Sequence, residues 1–152
     1  MKYVFSVTLM VAHLFITNLN AQSDSTKVNL GVMLAPMGWI NLDQPNKNGL
    51  GSTIGIFTVA QVIHGNTVFT PYYAMNTNAY GAALYQQITS NFGAYVVGNK
   101  SALRNDGYAG IGFGTPLAKG NATGFIEVGT SWKTWGPGLY IGAFIPIVRR
   151  IR

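Results

Sequence analysis

The chain has 152 residues, no cysteine and a formal net charge of +6, yet only 9% of its residues are charged, against roughly 25% in an average domain. The missing cysteines exclude a disulfide framework, a thiolate metal site and a lipid-bearing N-terminal cysteine. Past residue 21, only Glu127 among the charged residues falls well inside a stretch that reads as a strand. A β-sheet so poor in charge needs a cover for its outer face, and lipid is the leading candidate.

Residues 1–21 read as a secretory signal. Lys2 supplies a short positive start, the run Val4 to Ile16 is mostly apolar, and small Ala21 stands before Gln22 at the expected cleavage point. This run is shorter than the ~20 residues a spanning helix needs. Residues 22–152 then form one β-barrel domain. No later segment is apolar for long enough to make a membrane helix, so any span must be built of strands closed into a barrel.

Turn signals recur along the rest of the chain in the rhythm of an all-β protein. Eight strands are expected, at about Val28–Trp39, Ser52–Ile63, Thr67–Met75, Tyr80–Ile88, Phe92–Gly98, Gly107–Gly114, Thr123–Trp132 and Leu139–Val148. Most have roughly the ~9–11 residues of a tilted membrane strand, and the number is even. His64-Gly65-Asn66, Thr89-Ser90-Asn91 and Thr115–Ala122 fall on the side of the termini. Asn41–Gly51, Asn76–Ala79, Asn99–Asp106 and Lys133–Gly138 fall on the other. This second set is longer in total, as external loops should be, although Thr115–Ala122 is long for a periplasmic turn.

Period-two patterning is clearest in the last three strands. Tyr108, Gly110, Gly112 and Gly114 share one face, as do Thr123, Phe125, Glu127 and Gly129; Leu139, Ile141, Ala143, Ile145 and Ile147 form an unbroken apolar face. If Trp132 opposes Pro137, Glu127 lies opposite Gly142 and Phe125 opposite Phe144. If Gly114 opposes Thr123, Glu127 also faces Gly110 and Phe125 faces Gly112. Large side chains then meet glycines inside a narrow barrel. A buried Glu127 needs donors, and Tyr108 and Tyr140 are the nearest phenols, with Lys133 or Arg104 within reach from the mouth. Glu127 is read first as a structural interior carboxylate, and second as a selectivity or proton-handling group.

Little points to catalysis, and no cofactor or metal site is expected. The exported part has a single histidine, His64, in a tight turn away from Glu127, which makes a nucleophile relay a poor reading. Gly110-Ile111-Gly112-Phe113-Gly114 lacks the third glycine and the following helix of a nucleotide loop. Cations split between the two ends give no nucleic-acid stripe. Lys47, Lys100, Arg104 and Lys133 are instead placed to meet lipopolysaccharide phosphates outside, and Arg149, Arg150 and Arg152 to meet anionic headgroups or partners at the other end. Trp39, Tyr72, Tyr73, Trp132, Trp135 and Tyr140 lie near strand ends, where interfacial aromatics gather.

Tyr140-Ile141-Gly142-Ala143-Phe144-Ile145-Pro146-Ile147 resembles the C-terminal assembly signal of bacterial outer-membrane barrels, with Gly at its third place and apolar residues at the sixth and eighth. Its first place is Tyr, and the chain continues through Val148 to Arg152 rather than ending in an aromatic. The resemblance is to the small eight-stranded class, and it implies insertion by the barrel assembly machinery. The expected protein is all-β: an eight-stranded antiparallel up-and-down transmembrane barrel of the outer membrane, non-enzymatic, binding an envelope component or partner through its external loops. An exported soluble β-barrel or sandwich carrying an apolar ligand is the alternative. A lipid A-modifying enzyme is a third reading, disfavoured because the His-x-Ser pair of the deacylase type is missing.

Overall fold

The computed structural model describes residues 26–42, 50–103, 105–117, 122–131 and 137–151. The expected signal segment, Lys47, Arg104, Lys133, Trp132 and Trp135 lie outside them. The described residues form eight strands: β1 (Lys27–Asn41), β2 (Leu50–His64), β3 (Thr67–Ala74), β4 (Ala79–Thr89), β5 (Phe92–Ser101), β6 (Gly107–Leu117), β7 (Ala122–Ser131) and β8 (Gly138–Ile151). Each pairs antiparallel with its chain neighbour, and β8 returns to β1, so the sheet closes as an up-and-down barrel. Closure removes the free edges that an open sheet of this length would expose.

Most strand ends fall within a few residues of the expected ones, and the differences have local causes. Pairing of β6 with β7 runs on to Leu117↔Ala122, so Thr115, Pro116, Leu117 and Ala122 of the expected long turn are strand. Gly65 supplies a φ of 54° at the first central position of the β2–β3 turn, the conformation that a glycine-first hairpin turn requires. At the other end, Asn78 takes a left-handed φ of 52°. Its neighbour Asn76 stands in for the missing continuation of β3: its amide donates to the Ile54 carbonyl at 2.9 Å and its Oδ1 accepts from the Ile56 amide.

The two faces separate as the period of two demands. Phe125, Glu127 and Gly129 turn inward on β7, while Ile126 and Val128 are exposed on the outside. On β8, Tyr140 is buried inside and Ile141 is 63% exposed outside. Leu30, Ile54, Phe69, Ile111, Phe113 and Ile145 continue the exposed apolar face around the cylinder.

Both registers expected around Glu127 are displaced by two residues. Glu127 pairs with Tyr140 and Gly112, not with Gly142 and Gly110. Phe125 pairs with Gly142 and Gly114, not with Phe144 and Gly112. A two-residue slip leaves every side chain on its own face, whereas a one-residue slip would carry Glu127 to the outside. Trp39, Tyr72 and Tyr140 are interior residues rather than parts of an outer girdle: Trp39 and Tyr140 pack on the core, and Tyr72 meets Phe57 edge-on. Among the described residues the exposed outward aromatics are Phe69, Tyr73, Tyr80, Phe92 and Phe113, the last two stacked at 5.4 Å.

The interior is filled by setting large side chains against glycines. A Cβ on Gly112 would press into the Tyr95 ring, 2.6 Å from Cε1. A Cβ on Gly129 would lie 2.7 Å from Cε2 of Tyr108, and one on Gly142 would lie 2.8 Å from Cζ of Phe125. The glycine of the resembled C-terminal signal thus has a local reason to be small. We expect Gly112→Ala to lower stability by about 1–3 kcal/mol in denaturant titration, the usual cost of overpacking. In a Tyr95→Ala background, where the ring is gone, the same change should cost almost nothing. Equal costs in the two backgrounds would show that the pair is not the constraint.

Candidate functional site

Among the described residues, the strand register brings Glu127 and five phenols, Tyr72, Tyr85, Tyr95, Tyr108 and Tyr140, into the barrel lumen. A single row of paired positions runs Tyr85, Tyr95, Gly112, Glu127, Tyr140 and Trp39 from β4 to β1. Gly112 leaves a gap in this row, and the Tyr95 side chain lies across it to reach Glu127. Tyr95 Oη donates to Glu127 Oε2 at 2.8 Å, and Tyr108 Oη donates to Glu127 Oε1. Each carboxylate oxygen therefore has a phenol donor, and Glu127 is only 8% exposed. Burying the carboxylate without such partners would be strongly unfavourable.

The next row repeats the device. Tyr72, Gly81, Asn99 and Tyr108 pair in sequence, and across Gly81 the Asn99 amide donates to Tyr72 Oη at 3.2 Å. Tyr108 and Tyr140 meet edge to face at 5.4 Å, and beneath Glu127 the rings of Phe125 and Phe144 stack at 4.5 Å. Together they form a layer across the lumen, polar on the side of the 102–106 loop and aromatic on the side of the termini.

Among the interior candidates, Glu127 and Tyr108 are joined as the sequence suggests. Tyr140 lies directly opposite Glu127 but contributes its ring to Tyr108 and not its hydroxyl to the carboxylate. The second donor is Tyr95, which the sequence reading missed. Gly112 was the available signal, a vacancy between Tyr95 and Glu127 that only the register of three strands reveals. No group of three His, Cys, Asp or Glu residues that could hold a metal occurs among the described residues.

Of the basic loop candidates, only Lys100 is described. It sits on β5, not in a loop, exposed and paired with Tyr80 and Gly107. The adjoining loop is tied back through Asp106, whose Oδ1 accepts from the Gly107 amide and the Ser131 hydroxyl, each at 2.8 Å. His64 closes β2, with Nδ1 3.2 Å from the Thr26 hydroxyl.

No protein-family model, curated protein or solved structure matches this chain. Its grouping with eight-stranded barrels therefore rests on the architecture.

The hydrogen bonds to Glu127 give a graded prediction. Tyr95→Phe should cost roughly 1–3 kcal/mol, because it leaves a buried carboxylate oxygen short of a donor. Tyr140→Phe should cost clearly less, since the Tyr140 hydroxyl makes no bond to that carboxylate. Equal losses in denaturant titration would contradict this division of roles.

Proposed function

We propose that the protein is a non-enzymatic outer-membrane barrel of a diderm bacterium, exported by its N-terminal segment and inserted by the barrel assembly machinery. Its external loops bind an envelope component or a partner. One observation carries the reading: the cylinder's outer face is apolar, while its carboxylate points into the lumen. That arrangement inverts a soluble barrel and suits a hydrocarbon surround. Outward polar groups follow the same logic where they occur, since the Thr67 hydroxyl donates to Gln86 Oε1 on the neighbouring strand at 2.6 Å. No helix of the described residues is long and apolar enough to cross a membrane, so the strands are what would span it.

A carrier of apolar ligands fits less well. Such sites usually offer ~300–1,000 Å³, whereas the Glu127 layer divides the lumen and the cavity below it measures about 170 Å³. The same filled lumen argues against a diffusion pore.

Lys47, Lys100, Arg104 and Lys133 would meet lipopolysaccharide phosphates around the outer rim. If so, replacing all four with Gln should weaken binding to lipopolysaccharide-containing vesicles by about fivefold per cation removed, or about 1 kcal/mol each. High salt should erase most of the difference. Unchanged binding would remove these residues from the interface.

The membrane reading itself makes a separate prediction. The exported protein should fractionate with outer membranes, require detergent for extraction, and run faster on gels unboiled than boiled. A monomer stable in detergent-free buffer would overturn it. Lipid A mass spectra unchanged by expression would agree with a non-enzymatic role, and a new acylation pattern would contradict it.

A further inference from the structure

One corner of the barrel rises above the strand beside it. β1 and β2 have 15 residues each and pair with one another from Ile40↔Leu50 downward. β2 pairs with β3 only from Phe57↔Ala74 on. Above that level, Leu50 to Gly55 have no strand on their β3 side among the described residues. The Met75 amide donates to the Ile56 carbonyl at 2.8 Å, and Asn76 takes the Ile56 amide and the Ile54 carbonyl, which ends the ladder. Alternate residues of a strand turn both backbone groups to the same side. Leu50 and Ser52 therefore present their amides and carbonyls to the open side, and Ile54 its amide. Leu50 is 74% exposed and Ile54 59%, and Ser52 and Thr53 are exposed between them.

A groove of about 410 Å³ lies on the outer face of the same hairpin. The small residues Gly38 and Ser52 pair across it, and Pro36, Ile54 and Ile141 stand around them. Leu50 to Gly55 include neither a charged residue nor a proline, the side chains that usually keep an exposed edge from pairing.

We propose that Leu50–Ile54 is a docking edge for an extended segment of another protein, added antiparallel to β2 as a further strand. A row of alternating amides and carbonyls is matched by another extended backbone, and that sets the class of partner. The residue opposite Ser52 points outward, and the small Ser52 and Gly38 let a large apolar side chain there lean into the groove. A second copy fits this edge poorly. Two copies in one membrane share an orientation, so strands tilted by about 35–45° would cross at about 70–90° instead of lying side by side. Fifteen residues also exceed the ~9–11 that a crossing strand needs, so the hairpin tip stands clear of hydrocarbon, where unpaired backbone groups are costly. That aqueous placement rests on the membrane reading. The open edge does not, so fractionation tests the one and amide exchange the other.

Hydrogen exchange on the folded protein in detergent provides the test. Without a probe, the Leu50, Ser52 and Ile54 amides should exchange at least about tenfold faster than those of Gly51, Thr53 and Gly55, which bond to β1. The peptide acetyl-Thr-Thr-Leu-Thr-Thr-amide should slow the three fast amides saturably, with millimolar affinity as expected for so short a strand. Replacing its central Leu by Ala should weaken binding about tenfold, and N-methylating its first, third and fifth amides should abolish it. Ser52→Pro keeps the ladder to β1, so it should leave gel mobility unchanged while removing the response to the peptide. A peptide that protects none of the three amides would overturn the proposal. Protection already present without peptide would also overturn it: at every protein concentration it would show that the chain covers its own edge, and rising with concentration it would assign the edge to a second copy.

Discussion

Eight strands close a cylinder whose lumen is only wide enough for side chains, so every inward position competes with its neighbours for one volume. This protein resolves the competition strand by strand. Where Tyr95 extends along the row, its neighbour on β6 is Gly112; where Tyr108 leans, Gly129 makes room; where Phe125 points in, Gly142 lies opposite. The abundance of glycine, unfavourable for strands in general, is here a condition of closure.

The same constraint determines what Glu127 can do. Glu127 is 8% exposed, and the partners of its oxygens come from the barrel wall. Two phenols arrive from different strands, β5 and β6, and meet its two oxygens separately. The Tyr95 bond joins strands that are not neighbours in the sheet, which backbone pairing cannot do. β5 and β7 are linked through Tyr95 and Glu127 across the intervening β6. The carboxylate is thus a cross-brace of the cylinder, and among the described residues its two oxygens are held by phenol donors.

Much of this could be read from the chain because inward and outward positions obey a strict parity. The faces of β6, β7 and β8 follow directly from the alternation of Tyr108–Gly114, Thr123–Gly129 and Leu139–Ile147. Parity does not set register, however, since any even displacement keeps each face intact. That is why the pairing around Glu127 differs by two residues while its direction does not. Strand-end aromatics gave no indication of side: Trp39 turns inward over the space left by Gly51, and Tyr72 turns inward to meet Asn99, which lies across Gly81, facts that belong to pairs of strands. Thr115–Leu117 read as part of a turn, yet a proline near a strand end removes only one donor and the ladder continues to Leu117. What the loops recognise has no comparable rule, since recognition there depends on irregular backbone and not on period.

Setting a glycine against Tyr95, Tyr108 and Phe125 has a consequence for descent as well as for packing. Neither member can change alone without a clash or a void, so the unit that varies among relatives is the pair. Tyr95 with Gly112, and Tyr108 with Gly129, would exchange size across the sheet together or stay as they are. A lineage carrying this barrel would therefore drift freely on its outer face, in apolar substitutions of every kind. Inside, it would move only by compensated steps, and relatives would be easier to recognise from correlated columns than from overall identity.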